Sequence, residues 1–503
     1  MRRALWTLWV LALGPAVLAA QTATAPPASA AVVRLTLPDA VRRALEGEEV
    51  RLARATVEQA HGQVVAARSD ALPQIRTQLS YQRTFASPFQ STGTGPVYGP
   101  FAPDTSLPVD QRVRYLENQY DSTLIRGIGG LFGSLPFGRE NAWVGGVTVS
   151  QLLFQGGKVG AGLGGARAFQ DAAVAQLDET RNDIVYRTRR AYLDALFALR
   201  QVEIAEDGRR LADEQLRRVE LNQRVGSAAE YDLLRARVEV SNQDPLVVGA
   251  RNTRDLAFTA LRWLVNVPPE TPLELDAGAL SMSDSLIEVD TLELQRAEAS
   301  RRLLDAAEST VDLRRHAVRY YQGDYWPQFR FNLYIGAQAY PNGFTPVGQR
   351  WTRDWNAAFT VSWPLFEGLR TRGQIQQARA ELDRATLQLA QTREAVLLEV
   401  EQSRAELFRA RSLLDARRQT VAQAARAHHL AGVRYANGIS TQLEVSDARL
   451  AMQQAELNEA MAIRDYLVAI ANMERALGRP LPMRMVERRA SAEPASGATG
   501  TRE

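Results

Sequence analysis

The sequence predicts an α+β membrane protein made of two copies of one unit, each a strand pair followed by a hairpin of very long helices. Three observations carry this reading. The chain repeats itself without gaps at a fixed offset of 212 positions, four segments alternate apolar and polar residues, and two stretches of 69 residues run without proline in a helical pattern. Trp143, Thr148-Val149-Ser150, Leu153-Phe154 and Gly156 recur as Trp355, Thr360-Val361-Ser362, Leu365-Phe366 and Gly368. The same step carries Arg181 onto Arg393, Gly226 onto Gly438, Ala236-Arg237 onto Ala448-Arg449 and Pro268 onto Pro480. A chain of 503 residues would ordinarily predict about three compact domains, and the duplication overrides that prior. The first structural repeat is placed at 35–280 and the second at 286–480.

The amino terminus comes first. Met1-Arg2-Arg3 gives a positive start and Ala4 to Leu18 an apolar run, with small residues near Val17-Leu18-Ala19, so 1–20 reads as a signal peptide. That run is shorter than the roughly 20 residues a spanning helix needs. The stretch 21–34, rich in Thr, Ala and Pro, reads as a flexible leader, and 488–503 as a disordered tail. There is no cysteine, which excludes disulfides, thiolate metal sites and a cysteine nucleophile. With 60 basic and 57 acidic residues interspersed, no basic block argues for nucleic acid.

The elements then follow in order. A helix of about 33 residues is expected over Asp39 to Ala71. A strand follows at 74–81, with Ile75, Leu79 and Tyr81 on one face and Gln74, Arg76, Gln78 and Ser80 on the other. The loop 85–141, rich in Gly, Pro, Ser and Tyr, leads to a second strand at 143–153, where Val147 and Val149 oppose Thr148 and Ser150. Gly157 to Val225 is the first long helix, which at 1.5 Å per residue reaches roughly 100 Å. Gly226 ends it, and Ala228 to Val265 runs back. The second copy repeats the plan with a helix over Thr291 to Tyr325, strands at 328–339 and 357–365, a long helix over Leu369 to Asn437, and a return over Ser440 to Leu477. In that long helix Leu382, Ala385, Leu389, Val396, Val400 and Leu407 step by three, four or seven, the spacing of a coiled-coil seam. Two shorter helices placed end to end match one long helix in length.

Strands with one apolar and one polar face suit a half-buried soluble sheet or a membrane barrel. An exported chain without a spanning helix enters a bilayer only as a closed barrel. Tyr81, Trp143, Trp326, Tyr340, Trp355 and Trp363 stand near strand ends, where such barrels carry interfacial aromatics. Four strands are fewer than the eight of the smallest membrane barrels, so several copies must share one wall, and three copies give twelve strands. The first hairpin loop is the longer one. Pro73 to Trp143 spans 70 positions and Pro327 to Trp355 only 28, leaving 42 extra residues in the first copy.

At this point the residues resemble the TolC-like outer-membrane factors of efflux and type I secretion systems. The matches are Leu35-Thr36-Leu37-Pro38-Asp39-Ala40, Leu72-Pro73-Gln74, Leu153-Phe154-Gln155-Gly156-Gly157-Lys158, Trp326-Pro327-Gln328, Trp363-Pro364-Leu365-Phe366-Glu367-Gly368 and Arg434-Tyr435-Ala436-Asn437-Gly438. The resemblance implies a homotrimer whose twelve-stranded β-barrel sits among outer-membrane lipid and continues as an α-helical barrel through the periplasm. It also implies a periplasmic membrane-fusion adaptor at the far tip and an inner-membrane pump reached through that adaptor. The duct itself is passive.

Glycine suits the left-handed stop of a helix, so Gly226 and Gly438 mark the two reversals. Ser227-Ala228-Ala229-Glu230 and Thr441-Gln442-Leu443-Glu444 have the form of capping boxes. By resemblance, Gly226, Ser227, Gly438 and Ile439 form the adaptor-docking tips, and Tyr435, Glu444 and Asp447 align with the closed periplasmic gate. Asp232 holds the comparable place in the first copy. Three copies would gather six carboxylates from Glu444 and Asp447 around one axis, a ring that attracts cations. The family pattern also has an arginine near Ser440, absent here.

No catalytic or cofactor constellation emerges, and neither a metal nor another cofactor is expected. His428-His429 are adjacent, so they point to different faces of a helix, whereas ligand pairs prefer a spacing near four. Gly156-Gly157-Lys158 lacks the rest of a phosphate loop, with Val159 where a hydroxyl should stand. Gly160, Gly162, Gly164 and Gly165 fit as small residues at the passage from strand to helix. The readings left open are a trimeric outer-membrane duct, an exported coiled-coil scaffold without a pore and, more distantly, a soluble periplasmic enzyme.

Overall fold

The computed structural model describes residues 32–86, 104–117, 139–286, 300–481 and 484–485. The expected signal peptide, most of the leader, the tail, and residues 87–103 and 118–138 of the long loop lie outside them. In chain order the elements are β1 (Val33–Leu35), α1 (Leu37–Leu45), α2 (Glu48–Ser69), β2 (Gln74–Arg83), β3 (Asn141–Gln155), α3 (Lys158–Arg224), α4 (Glu230–Leu264), β4 (Leu273–Leu275), β5 (Ser285–Leu286), α5 (Arg302–Gln322), β6 (Gln328–Ala339), β7 (Thr352–Ser362), α6 (Arg370–Ala436), α7 (Gln442–Leu477) and β8 (Arg484–Met485). The long helices α3 and α6 each have 67 residues and sit 212 positions apart, so the duplication holds in the backbone as well as the sequence.

β2, β3, β6 and β7 form one antiparallel sheet in that order. Among the described residues β2 pairs only with β3, and β7 only with β6, which leaves both outer strands with a free edge. Between Leu152 and Phe154 the β3–β6 register shifts by one residue. That bulge keeps Phe154 on the apolar face, where its ring lies 5.7 Å from Phe329. β7 ends at Ser362 rather than reaching 365, because Pro364 has no N–H to give the ladder. At its other end it starts at Thr352, five residues before the expected strand.

The helical half follows the end-to-end plan. α2 runs beside the part of α3 nearer the sheet, where Arg187 of α3 pairs with Glu49 of α2. α4 runs beside the distal part, with Arg209–Asp244 at 2.9 Å and Arg251–Glu206 at 2.6 Å. α5 and α7 flank α6 in the same manner, shown by Arg314–Glu381 at 2.8 Å and by Arg475–Glu399 at 2.5 Å. Ala385, Val396, Val400 and Leu407 of the expected seam are buried in α6, and Leu382 and Leu389 half-buried. Two expectations need correction. The helix anticipated over 39–71 is two helices, because Gly47 takes an extended backbone as the cap of α2. The leader also ends earlier than 34, since Val33–Leu35 pairs in parallel with Leu273–Leu275.

These small strands belong to a girdle around the midpoint of α3. The Tyr192 hydroxyl lies between the carbonyls of Leu35 (2.9 Å) and Asp276 (2.8 Å) and shares its one proton between them, tying β1 and the end of β4 to the long helix. Burial pushes that hydroxyl up to about 12, so it stays a donor. On the other side Arg301, with 2% of its side chain exposed, bridges Glu179 of α3 (2.9 Å) and Glu399 of α6 (3.0 Å). It also donates to the carbonyls of Arg475 and Ala476, both at 2.9 Å. One guanidinium thereby joins both repeats and the end of α7.

Removing one member of a buried pair strands the other charge, at a cost of about 3–5 kcal/mol. Arg301→Ala should therefore lower stability by that amount in thermal unfolding of the detergent-solubilised protein. A loss under about 1 kcal/mol would show that the girdle does not depend on this residue.

Candidate functional site

The sheet presents two chemically distinct faces. Ile75, Leu79 and Tyr81 of β2, Trp143, Val147 and Val149 of β3, Phe329, Phe331, Leu333 and Ile335 of β6, and Trp355, Phe359 and Val361 of β7 share one face through the observed register. Much of it is open to the surroundings, with Ile75 69%, Leu79 68% and Trp355 74% exposed. An apolar face of that extent is unusual for a surface in water. The opposite face carries Gln74, Arg76, Gln78, Ser80, Thr148, Ser150, Arg330, Asn332, Thr360 and Ser362.

Aromatic residues border the apolar band at both ends. Away from the helices, Tyr81, Trp143 and Phe344 pack with ring centroids 4.9–5.6 Å apart, and the Trp143 indole donates to the Phe344 carbonyl at 2.7 Å. Trp355, the repeat mate of Trp143, shares the apolar face and lies opposite Ile335. Near the helices, Trp326 and Trp363 are exposed, and the Trp363 indole donates to the Tyr325 carbonyl at 3.2 Å. Eight residue steps separate Trp355 from Trp363, just past the end of β7, about 27 Å along the strand and roughly 20 Å of height at a barrel's tilt, a little less than the apolar band of about 25 Å. Tyr340 differs from the other five. Its hydroxyl donates to Gln338 at 2.5 Å, and Gln338 also donates to Asp354 at 2.6 Å, so it joins a polar-face network beyond the band.

On the polar face the Tyr334 ring lies flat across two glycines. A Cβ on Gly146 would meet it at 2.6 Å and one on Gly336 at 2.4 Å, so both positions need glycine to keep the ring down. At the passage into α3, Gly156 turns the chain at φ 58°, where a side chain would strike the Gly323 carbonyl at 2.3 Å. Lys158 is buried beside it, paired with Asp324 and 4.5 Å from the Tyr320 ring. That contact gives the Gly-Gly-Lys sequence a structural role. Gly164 also accommodates a close neighbour, the His316 ring of α5.

At the far end the two reversals are built alike. Gly226 and Gly438 both have φ 72°, and each follows the same pair of bonds, Ser227 N to Asn222 O and Gly226 N to Gln223 O, then Ile439 N to Arg434 O and Gly438 N to Tyr435 O. Ile439 is 69% exposed at the tip. Only the second reversal forms a side-chain cap, one half of a capping box. The Thr441 hydroxyl accepts from Glu444 N at 3.4 Å, whereas in the first copy Ala229 is the cap and Ser227 donates to Asn222 O.

The acidic residues expected at the gate are solvent-facing. Glu444 and Asp447 are exposed on one side of α7, Glu444 lies 3.8 Å from Arg434, and Tyr435 and Asp232 are half-buried. The arrangement also brings together groups that sequence reasoning did not connect. Arg449 of α7, 5% exposed at its side chain, pairs with Glu239 of α4 and donates to the Gly208 carbonyl of α3 at 3.3 Å. Its repeat mate Arg237 is exposed and only 3.8 Å from Glu220. The duplicated Ala-Arg pair thus hid the difference that matters. Arg449 borders a cavity of about 360 Å³ between the two hairpins, lined also by Arg218, Glu239, His428, His429 and Gln442. Burial, then the charges of Arg449, Arg218 and His429, hold the His428 imidazole below its usual 6.5.

AprF, the alkaline protease secretion protein of Pseudomonas aeruginosa, is 26% identical over 302 residues, or 58% of this chain and 60% of AprF. Outer membrane protein TolC of Escherichia coli is 25% identical over 330 residues, 62% of this chain and 66% of TolC. The chain therefore spans less than two thirds of the length of either relative. The crystal structure of the Campylobacter jejuni CmeC outer membrane channel shares the fold, with a TM-score of 0.68 at 16% identity over 88% of this chain and 85% of that one. The outer membrane efflux protein model matches residues 133–267 and 294–479, taking in most of both repeats and well over half the chain. The protein belongs to the outer membrane efflux protein family.

Proposed function

We propose that three copies of the chain close a twelve-stranded barrel in the outer membrane and continue it through the periplasm as a passive exit duct for efflux or type I secretion. The observation that carries this reading is the four-stranded sheet with an apolar exposed face and two unpaired edges. Backbone groups on such edges have no partner in hydrocarbon, and joining β7 of one copy to β2 of the next supplies one. A second strip of apolar surface supports it. Leu387, Leu398 and Phe408 on α6 are exposed, as are Leu234, Val238, Leu256 and Trp263 on α4, and these two helices stand at opposite sides of the protomer.

In this reading the polar sheet face lines the pore, and the tips at Gly226, Ser227, Gly438 and Ile439 receive a periplasmic adaptor, which links the duct to an inner-membrane pump. Glu444 and Asp447, with Tyr435 and Asp232 nearby, ring the narrow end. Arg449–Glu239 holds the second hairpin against the first. Adaptor docking then has a definite task, which is to separate α7 from α4.

Planar-bilayer recording of the purified trimer tests the reading, with discrete cation-preferring conductance expected and a silent bilayer contradicting it. Arg449→Gln should raise resting conductance severalfold, since a buried pair broken on one side is strongly destabilising. Glu444→Gln with Asp447→Asn should weaken block by multivalent cations at least about tenfold, and unchanged block would remove the gate assignment. Gly146→Val must lift the Tyr334 ring into the pore, so a lower unitary conductance is expected with trimer yield unchanged. The depressed His428 titration gives a pH effect with a fixed sign. Below about 6.5 the imidazole charges more readily in the separated tip, where it gains solvent and leaves Arg218 of α3, while Arg449 of α7 and neighbouring His429 travel with it and the loss of Glu239 of α4 opposes this in part. Opening should therefore increase as pH falls through that value, and His428→Gln should flatten the response.

A further inference from the structure

The apolar face of the sheet carries two charges. Of the strand residues that share it, only Arg83 at the end of β2 and Arg353 at the start of β7 are ionised, and both lie at the rim away from the helices. Both are exposed, and among the described residues neither forms an ion pair. Asp354, next to Arg353, is turned to the polar face and bonded to Gln338. The Arg83 guanidinium lies 5.6 Å from the Phe85 ring. A guanidinium displayed outward at the top of a hydrocarbon-facing wall reaches the headgroup layer, where phosphate is the anion its parallel donors fit.

These two strands are the free edges, so their meeting is fixed by the internal repeat. β3 maps onto β7 by the 212-residue step, and the observed β2–β3 and β6–β7 registers map β2 onto β6. The β3–β6 register then dictates the junction between copies. Val149↔Leu333 becomes Val361↔Leu79, Val147↔Ile335 becomes Phe359↔Tyr81, and Ala357 falls opposite Arg83 of the adjoining copy. Trp355 faces Phe85 across the junction. Arg353 lies four residues beyond Ala357, about 13 Å along the strand from the level of Arg83. Each junction therefore presents two guanidinium groups, one from each copy, separated by a patch of Trp355 and Phe85.

We propose that each junction holds a glycolipid headgroup of the outer leaflet bearing more than one phosphate, with Arg83 and Arg353 taking separate phosphates and Trp355 packing beneath the sugar. This rests on the three-copy barrel proposed above. Arginine binds phosphate through parallel N–H donors, and two groups so far apart select a headgroup whose phosphates are also separated. A lipid with a single phosphate satisfies one arginine and leaves the other bare.

Native mass spectrometry of the trimer, after exposure to vesicles containing a bisphosphorylated glycolipid, its dephosphorylated form or phosphatidylglycerol, tests the site. Up to three bisphosphorylated glycolipids should be retained per trimer, with at least about tenfold less of the other two lipids. Arg83→Gln and Arg353→Gln should each reduce retention about tenfold, and Arg76→Gln on the polar face should leave it unchanged. Equal retention of all three lipids, or retention unaffected by either rim variant, would overturn the proposal. The same spectrum separates this from the underlying reading, because a missing trimer mass counts against the shared barrel and a lipid-free trimer against the site alone.

Discussion

The constraint on which the structure depends is the hydrogen-bonding demand of β2 and β7. Inside water an unpaired strand edge is tolerable, and inside hydrocarbon it is not. The sheet combines that edge with an outward face of Ile75, Leu79, Trp355 and Phe359, so the protomer is complete chemically only beside further copies. Much else follows from closing the wall. The bulge at Leu152/Phe154 keeps the apolar face continuous where the strands turn toward the helices, and Gly156 gives the backbone the sharp left-handed turn into α3.

Duplication supplies the geometry, and departures from it supply the function. Both long helices have the same length, the same stop and the same positive φ at Gly226 and Gly438. The buried arginines break this equivalence. Arg301 locks the two repeats together at the girdle, while Arg449 joins α7 to α4 near the tip and its mate Arg237 lies in solvent. The two buried arginines thus hold the middle and the tip by separate contacts.

Most of this architecture was legible in the sequence, because period and repetition report directly on backbone geometry. Alternation in Phe329, Phe331, Leu333 and Ile335 fixed β6, and the uninterrupted stretch from Gly157 to Val225 fixed α3 to within a residue at either end. What was not legible depends on contacts between distant segments. Nothing local distinguishes Ser227 from Thr441 as a cap, or reveals that Val33–Leu35 finds a parallel partner at Leu273–Leu275. The Arg449–Glu239 pair joins residues 210 positions apart and matches a repeat partner that behaves differently. Tyr340 was misplaced for a related reason, since a strand-end aromatic faces whichever side offers its hydroxyl a partner.

The account stands or falls on the junction between β7 of one copy and β2 of the next. The chain has no cysteine, so Leu79→Cys combined with Val361→Cys puts thiols only at the predicted contact. Opposed residues across an antiparallel pair bring their Cβ atoms within about 5 Å, close enough for oxidation to join them. Mild oxidation in outer membranes should convert the double variant into covalent trimers on a denaturing gel, with each single variant forming none. If the double variant stays monomeric while both thiols remain open to alkylation, the copies do not share a wall.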